Sequence, residues 1–372
     1  MDKDQNKSGR TEPGITRTIR SDFRQTKIKE EFKSEYSNLK QSFLDDERKK
    51  KLEKMNPVKK FFVLPWWLLK ASYYRLTPFR RLLLVVALIF LFLSGGSQVN
   101  DNTVTFNLNV EAFFAVMILL FILALELKDK LLAKTELEEG RAIQQALMPE
   151  RSPKIEGWEI WLYTRSANDV GGDLLDFIQI SGNKFGVALG DVAGKGLSAA
   201  LLMAKLQSTI RALVYDLPSL SELGKKINRI FHRDSLPKIF ASMIYAELST
   251  ESGGVKFINA GHFPPVLIRK ENITQLQKDA PALGLIYDSE FNEQVITLHE
   301  NDFVIIYSDG LTEAQNESGE FFGEGRFIEL LKNSSLKSSQ QLGETILSGV
   351  DTFVGKTPAH DDLTVAILKR TV

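Results

Sequence analysis

Hydrophobic and polar positions divide the chain into stretches of different periodicity. Up to residue 57 no apolar run occurs and charges cluster, as in Asp45-Asp46-Glu47-Arg48-Lys49-Lys50-Lys51. Such a segment buries too little apolar surface to fold alone, so 1–57 is expected to be a disordered or transiently helical tail, either simply solvated or docking a partner. Two apolar runs follow. Leu82 to Leu93 reads LLLVVALIFLFL and continues without charge to Val99; Ala112 to Leu125 reads AFFAVMILLFILAL between Glu111 and Glu126. A bilayer-crossing helix needs roughly 20 apolar residues. The pattern predicts a transmembrane hairpin with spans at about 82–99 and 110–127, although both runs are short and also fit buried core helices or a re-entrant hairpin. From 128 to 150 Leu131, Leu132, Leu137, Ile143 and Leu147 recur among charged residues, and Pro149 closes the run. This predicts a linker helix that either pairs with its copy in a homodimer or packs on its own domain.

Beyond Pro153 the period shortens. Strands are predicted at 158–163, 174–180, 184–189, 240–248, 254–259, 266–269, 294–298, 303–307 and 363–368, from β-branched and aromatic enrichment between turn residues. Helices are predicted at 197–214, 219–231, 324–331 and 339–354. Strand runs interrupted by paired helices predict an α+β fold with mostly antiparallel sheets.

Charge adds orientation. Lys+Arg and Asp+Glu balance at 47 each, which argues against a nucleic-acid partner. Lys59, Lys60, Lys70, Arg75, Arg80 and Arg81 precede the first apolar run, and Lys128, Lys130 and Lys134 follow the second. No Lys or Arg lies between Gly95 and Leu127. Positive flanks are retained inside, so the expectation is a two-span protein of the inner, cytoplasmic membrane with both termini cytoplasmic and the 100–109 loop outside. Trp66, Trp67, Tyr73 and Tyr74 mark 58–81 as a basic, aromatic segment beside membrane lipid.

With no cysteine and only four histidines, a metal would have to be held mainly by carboxylates. Asp recurs beside Gly or a second Asp where strands end, in Val170-Gly171-Gly172-Asp173, Gly190-Asp191-Val192-Ala193-Gly194-Lys195-Gly196, Ser308-Asp309-Gly310 and His360-Asp361-Asp362. Each alone is an ordinary turn signal; together they suggest an oxygen-ligand site for hard divalent cations. The Gly190–Gly196 loop lacks the spacing of a nucleotide cradle.

The ordered segments VGGDLLDF, GDVAGKGLSAALLMA, FASMIYAEL, INAGHFPPVLI, LGL, VIIYSDGLTEA and HDDLTVAIL resemble the PPM-type (PP2C-like) phosphatases, in the bacterial branch of sporulation stage II protein E and the sigma-factor regulatory phosphatases. The likeness runs through residues 158–370, and ELEEGRAIQQALMPE looks like the linker that precedes that domain. It implies an αββα sandwich of two antiparallel sheets flanked by helices, holding two Mn2+ or Mg2+ ions at one edge. Carried over by motif, Asp173 would bind one metal, Asp191 would bridge both with the Val192 carbonyl as a further ligand, Asp309 would bind one and Asp361 the other. Asp176 and Asp362 would stand behind them. The implied activity is hydrolysis of phosphoserine or phosphothreonine on a signalling protein by a bimetal-activated water; the alternative is a catalytically weak membrane scaffold that binds phosphoproteins. Leu174 and Leu175 depart from a frequent aromatic pair, and Phe263 from a more usual polar residue. Lys195 could approach phosphate or be a solvated loop lysine. Arg165 has no assignable role, and His262 is expected to be structural.

Overall fold

The computed structural model describes residues 46–53, 55–93, 110–334 and 338–372. Residues 1–45 of the expected tail and the expected outer loop lie outside the described residues. The chain divides into two compact units, Met1–Lys130 and Leu131–Val372.

The first unit contains helices α1 (Asp46–Glu53), α2 (Pro57–Arg75), α3 (Pro78–Leu93) and the start of α4 (Val110–Leu147). Pro57 and Pro78 stand at the first turns of α2 and α3, where the missing N–H costs nothing. Arg80, early in α3, donates to Glu126 and Asp129 of α4 at 2.6 Å each. Phe90 of α3 lies 6.1 Å from Phe114 near the α4 start. These contacts run the two helices antiparallel. The expected second span lies within α4, which is long and apolar enough to cross a membrane; it alone passes that test among the described residues. The first is covered only as far as Leu93, by a helix of 16 residues, which is short of a span. The span and linker predicted separately on either side of residue 127 form one unbroken 38-residue helix. Phe61, Phe62, Trp66 and Tyr74 of α2 are exposed.

The second unit has two antiparallel sheets. One runs β1 (Lys154–Ile155), β2 (Trp158–Arg165), β11 (Leu363–Arg370), β10 (Phe303–Tyr307), β7 (Val266–Arg269), β8 (Asn272–Gln275); the other runs β3 (Asp173–Ser181), β4 (Lys184–Val192), β5 (Ala241–Ser249), β6 (Gly254–Ala260), β9 (Gln294–Thr297). Successive side chains alternate between faces, and both faces of each sheet are covered. Between the sheets Leu175, Val187, Leu189 and Ile244 meet Leu162, Val304, Ile306 and Ala366. On the outer face of the five-stranded sheet, Leu174, Ala188, Met243 and Tyr245 meet Met203, Leu206 and Ile210 of α5 (Leu197–Leu213) and Ile227 and Phe231 of α6 (Leu220–Asp234). On the outer face of the other, Trp161, Ile305, Tyr307 and Val365 meet Phe327 of α8 (Gly323–Asn333) and Leu342, Ile346 and Val350 of α9 (Ser339–Val354). The order is helix, sheet, sheet, helix, as expected. Ser219 and Ser338 cap α6 and α9 by accepting from the N–H groups of Glu222 and Gln341.

Three elements escape the sequence pattern: the short edge strands β1 and β8, and the one-turn helix α7 (Asp309–Thr312). Strands β3 and β4 also run further than predicted. Pairing with β5 continues through Asp191 to Val192, so Asp173 and Asp191 are strand residues and not turn residues.

The end of α4 is fastened to this unit. The Gln144 amide donates to the Gly171 carbonyl at 2.8 Å and accepts from the Gly171 N–H at 3.0 Å. The Leu147 carbonyl accepts from Gln207 and Arg211 of α5. Arg211 also forks onto the fully buried Asp176 of β3 at 2.7 and 2.8 Å. Removing one partner of such a pair strands a buried charge and typically costs about 3–5 kcal/mol. Arg211→Met is therefore expected to lower unfolding free energy by about that much in denaturant titrations, and Asp176→Leu with Arg211→Met to recover most of it. A single-variant loss below about 1 kcal/mol would contradict the pairing.

Candidate metal centre

The candidate aspartates come together at one end of the sandwich. Asp173 opens β3 directly opposite Asp191 on β4, and Asp191 lies opposite Ser242 on β5. In the other sheet Asp309 starts α7 immediately after β10, and Asp361 immediately precedes Asp362 and β11. Ser308 stitches these two ends together. It donates from N to the Thr364 carbonyl at 2.9 Å and from Oγ to the Asp362 carbonyl at 3.1 Å, and accepts from the Thr364 N–H at 2.9 Å.

The carboxylates feel one another. Asp173 is buried, and desolvation, then the nearby Asp191 charge, hold its carboxyl well above the usual carboxylate range. Burial, then Asp309 and Asp361, push Asp191 up to about 7. Burial, then Asp361 and Glu313, push Asp309 up to about 6. Each site loses solvation while its neighbours disfavour a further negative charge.

Asp362 and Asp176 do different work from these four. The Asp362 carboxylate accepts from the N–H groups of Ala167 at 2.7 Å, Gly172 at 2.6 Å and Asp173 at 3.4 Å. It thereby shapes the loop that delivers Asp173. Asp176 is set apart from that loop: three residues along the strand reverses the facing, so it lies under α5 with Arg211. Arg165 pairs with Asp351 at 2.8 Å. Lys195 is not a free loop lysine: its ammonium donates to Asp361 at 3.0 Å and to the His360 carbonyl at 2.8 Å. A lysine following Gly194 in the same loop as Asp191 was the available signal, but nothing local names its partner 166 residues away.

The residues present fit divalent cations. Asp173 Oδ2 is buried without a hydrogen-bond partner. A side chain at Gly172 would fill the space beside Asp191 Oδ1 and the Val192 carbonyl, coming within 3.3 and 3.4 Å. The donors are all oxygens, which suits hard cations. Among the described residues, no three acidic or histidine side chains already close on a single point; Lys195 holds Asp361 by its own ion pair.

Comparison with known proteins bears on this arrangement. The family model for stage II sporulation protein E (SpoIIE) matches residues 181–371, just over half of the chain. The chain belongs to the SpoIIE family. Phosphoserine phosphatase RsbU of Bacillus subtilis is 26% identical over 241 residues, 64% of this chain and 71% of RsbU. Protein IcfG of Synechocystis is 26% identical over 279 residues, 67% of this chain and 43% of IcfG, and phosphoserine phosphatase RsbP of B. subtilis is 29% identical over 191 residues, 50% and 47%. The chain thus spans less than half the length of IcfG and RsbP. Among solved structures, the SiaA-PP2C domain of Pseudomonas aeruginosa superposes with a TM-score of 0.57 at 18% identity, over 66% of this chain and 99% of that domain. The RsbU and RsbW domains of a Mycobacterium tuberculosis protein superpose at 0.52 and 24%, over 61% and 63%. The fold of this SpoIIE-family member is the PP2C sandwich that the motifs implied.

Raised carboxyl pKa values carry a sign. Asp191 and Asp309 bind protons more tightly folded than unfolded, so their contribution to stability is fully present below about pH 4. It is lost as pH rises through about 6 to 7. In chelator, the melting temperature is expected to decline over pH 4–7 relative to an Asp191→Asn/Asp309→Asn variant, and Mn2+ should remove the difference at pH 7. Parallel profiles for the two proteins in chelator would refute the crowding.

Proposed function

We propose that the protein is a membrane-anchored, metal-dependent serine/threonine protein phosphatase acting on a phosphorylated signalling protein. One observation carries the proposal: Asp173 and Asp191 of one sheet and Asp309 and Asp361 at strand ends of the other lie near enough that, beyond burial, their charges raise the proton affinity of Asp173, Asp191 and Asp309, in a fold that superposes on a PP2C domain. That two of the relatives bear the name phosphoserine phosphatase supports it.

Asp173, Asp191, the Val192 carbonyl, Asp309 and Asp361 would hold two Mn2+ or Mg2+ ions. Bound there, such cations lower the pKa of a water and offset charge on phosphoryl oxygens. The chain's own residues prepare that chemistry. Asp362 fixes the loop before Asp173, and Ser308 fixes the distance from Asp309 to Asp361. Lys195 pairs with Asp361 while its side chain stays mostly exposed, so an incoming anion would have access to it. No side-chain nucleophile is required, in keeping with a chain without cysteine. Full-length protein in detergent is expected to hydrolyse a phosphoserine peptide with Mn2+. Asp191→Asn should lower the rate at least about 100-fold, with an unfolding temperature in chelator no lower than wild type. Undiminished turnover in that variant would overturn the site.

The anchor is read from α4 and its flanks. The apolar first half of α4 would span the bilayer, with the 82–99 segment as a second span and Lys128, Lys130 and Lys134 inside. The antiparallel contacts of α3 with α4 support this hairpin. Exposed Leu131, Leu132 and Ile143 on α4 support pairing of two copies through this helix. The absence of native cysteine makes the topology directly measurable. Thr105→Cys should react with an impermeant maleimide in intact cells, and Thr371→Cys only after lysis. The same protection at both positions would sink the two-span reading.

A further inference from the structure

His262 is 1% exposed, and every nitrogen that it offers is used. Its backbone N–H donates to Asn259 Oδ1 at 2.8 Å. Nε2 lies 3.1 Å from the Tyr307 carbonyl, which can only accept, so Nε2 carries the ring proton. Nδ1 is then the acceptor for the Ser242 hydroxyl at 2.7 Å. With both ring nitrogens engaged and no exposure, this imidazole has no site left to exchange a proton with a substrate.

The positions of its two partners matter more than their number. Ser242 belongs to β5 and stands directly opposite Asp191. Tyr307 is the last residue of β10, two before Asp309, in the other sheet. Most of the space between the sheets is filled by apolar side chains, which fix separation only loosely because dispersion has no direction, and the directed bonds lie at the ends, as where Asp362 accepts from Gly172 and Asp173. The imidazole adds two directed bonds across that gap, beside the carboxylates. The local sequence is built for it: Gly261 takes φ +68, turning the chain out of β6 so that the ring of the next residue points back between the sheets.

We propose that His262 is a positioning residue, a clamp between the Asp191 end of one sheet and the Asp309 end of the other that sets the spacing of the cation site. This rests on the reading of the four aspartates as that site. Burial also holds the ring's pKa down to about 4, so the clamp stays neutral and closed through the working range.

The test uses full-length protein in detergent and Mn2+ itself as the probe, read by titration calorimetry and by the electron paramagnetic resonance spectrum of the bound ions. His262→Asn keeps an acceptor near Ser242 but cannot reach the Tyr307 carbonyl. Ser242→Ala leaves the histidine in place and removes only one bond, so it folds even if the first variant does not. Substitutions behind metal ligands typically weaken metal affinity about 10–100-fold. Each variant is expected to bind Mn2+ at least about tenfold more weakly and to replace a spin-coupled two-ion spectrum with that of isolated ions. The double variant should be no worse than the more affected single, since both cut one clamp. A folded Ser242→Ala protein with wild-type affinity and spectrum, even with a lower melting temperature, would overturn the proposal and leave His262 a packing residue. Failure of the wild type to bind Mn2+ would instead overturn the metal reading, and the clamp with it.

Discussion

Mutual repulsion among carboxylates at the open end of the sandwich is the constraint that the surrounding structure serves. Two unit charges about 6 Å apart at an effective dielectric near 20 repel by about 3 kcal/mol, and here four acidic groups share one partly desolvated edge. Positive charge or protons must offset this. Among the described residues Lys195 places a positive charge on Asp361, and backbone N–H groups are directed at Asp362. Nothing comparable is aimed at the free oxygen of Asp173. The edge is therefore short of positive charge, a shortfall that a divalent cation would make up.

Holding the groups together against repulsion requires rigid supports, and the sandwich provides them through double coverage. A strand buried on both faces cannot slide, because a one-residue shift would exchange its two apolar sets. In β10 all five residues are buried, three toward the helices and two toward the other sheet. The register that places Asp173 opposite Asp191, and Asp191 opposite Ser242, is thus fixed two residues further along the strands by Leu175, Leu189 and Ile244. Ser308 and His262 then make the final adjustments where the two sheets meet.

This explains what was legible beforehand. Continuous apolar runs such as Phe303–Tyr307 and aromatic-rich stretches such as 158–163 disclosed the sheets, because strands buried on a pleated surface favour such residues. The order of the aspartate motifs disclosed the site. The parity of Asp173 and Asp176 was available too: three residues apart in a strand means opposite faces, so Asp176 belonged with a helix. Its partner Arg211 was not readable, since the pair closes over 35 residues. Nor was α7, which is one turn long and has no period to read, or the ends of β3 and β4, where pairing of β4 with both β3 and β5 overrides the turn preference of Gly-Asp.

The end of α4 has a mechanical consequence for the edge. Its last turns hold the backbone of Gly171 through both its N–H and its carbonyl. Gly171 lies two residues before Asp173, in the loop that Asp362 also grips. A rotation of the end of α4 must either carry Gly171 along or break two buried hydrogen bonds. Leaving such groups unpaired costs about 1–3 kcal/mol each, so movement of the loop is the less costly response. The same turn reaches α5 through the Leu147 carbonyl and Arg211, and β3 again through Asp176. Displacement of this helix end would therefore reach the Asp173 end of β3 by two routes, while Asp309 and Asp361 stand beside the ends of β10 and β11 in the other sheet. A shift of this helix end would in this sense move Asp173 and Asp191 relative to Asp309 and Asp361, and the spacing between the two pairs is the quantity that it would change.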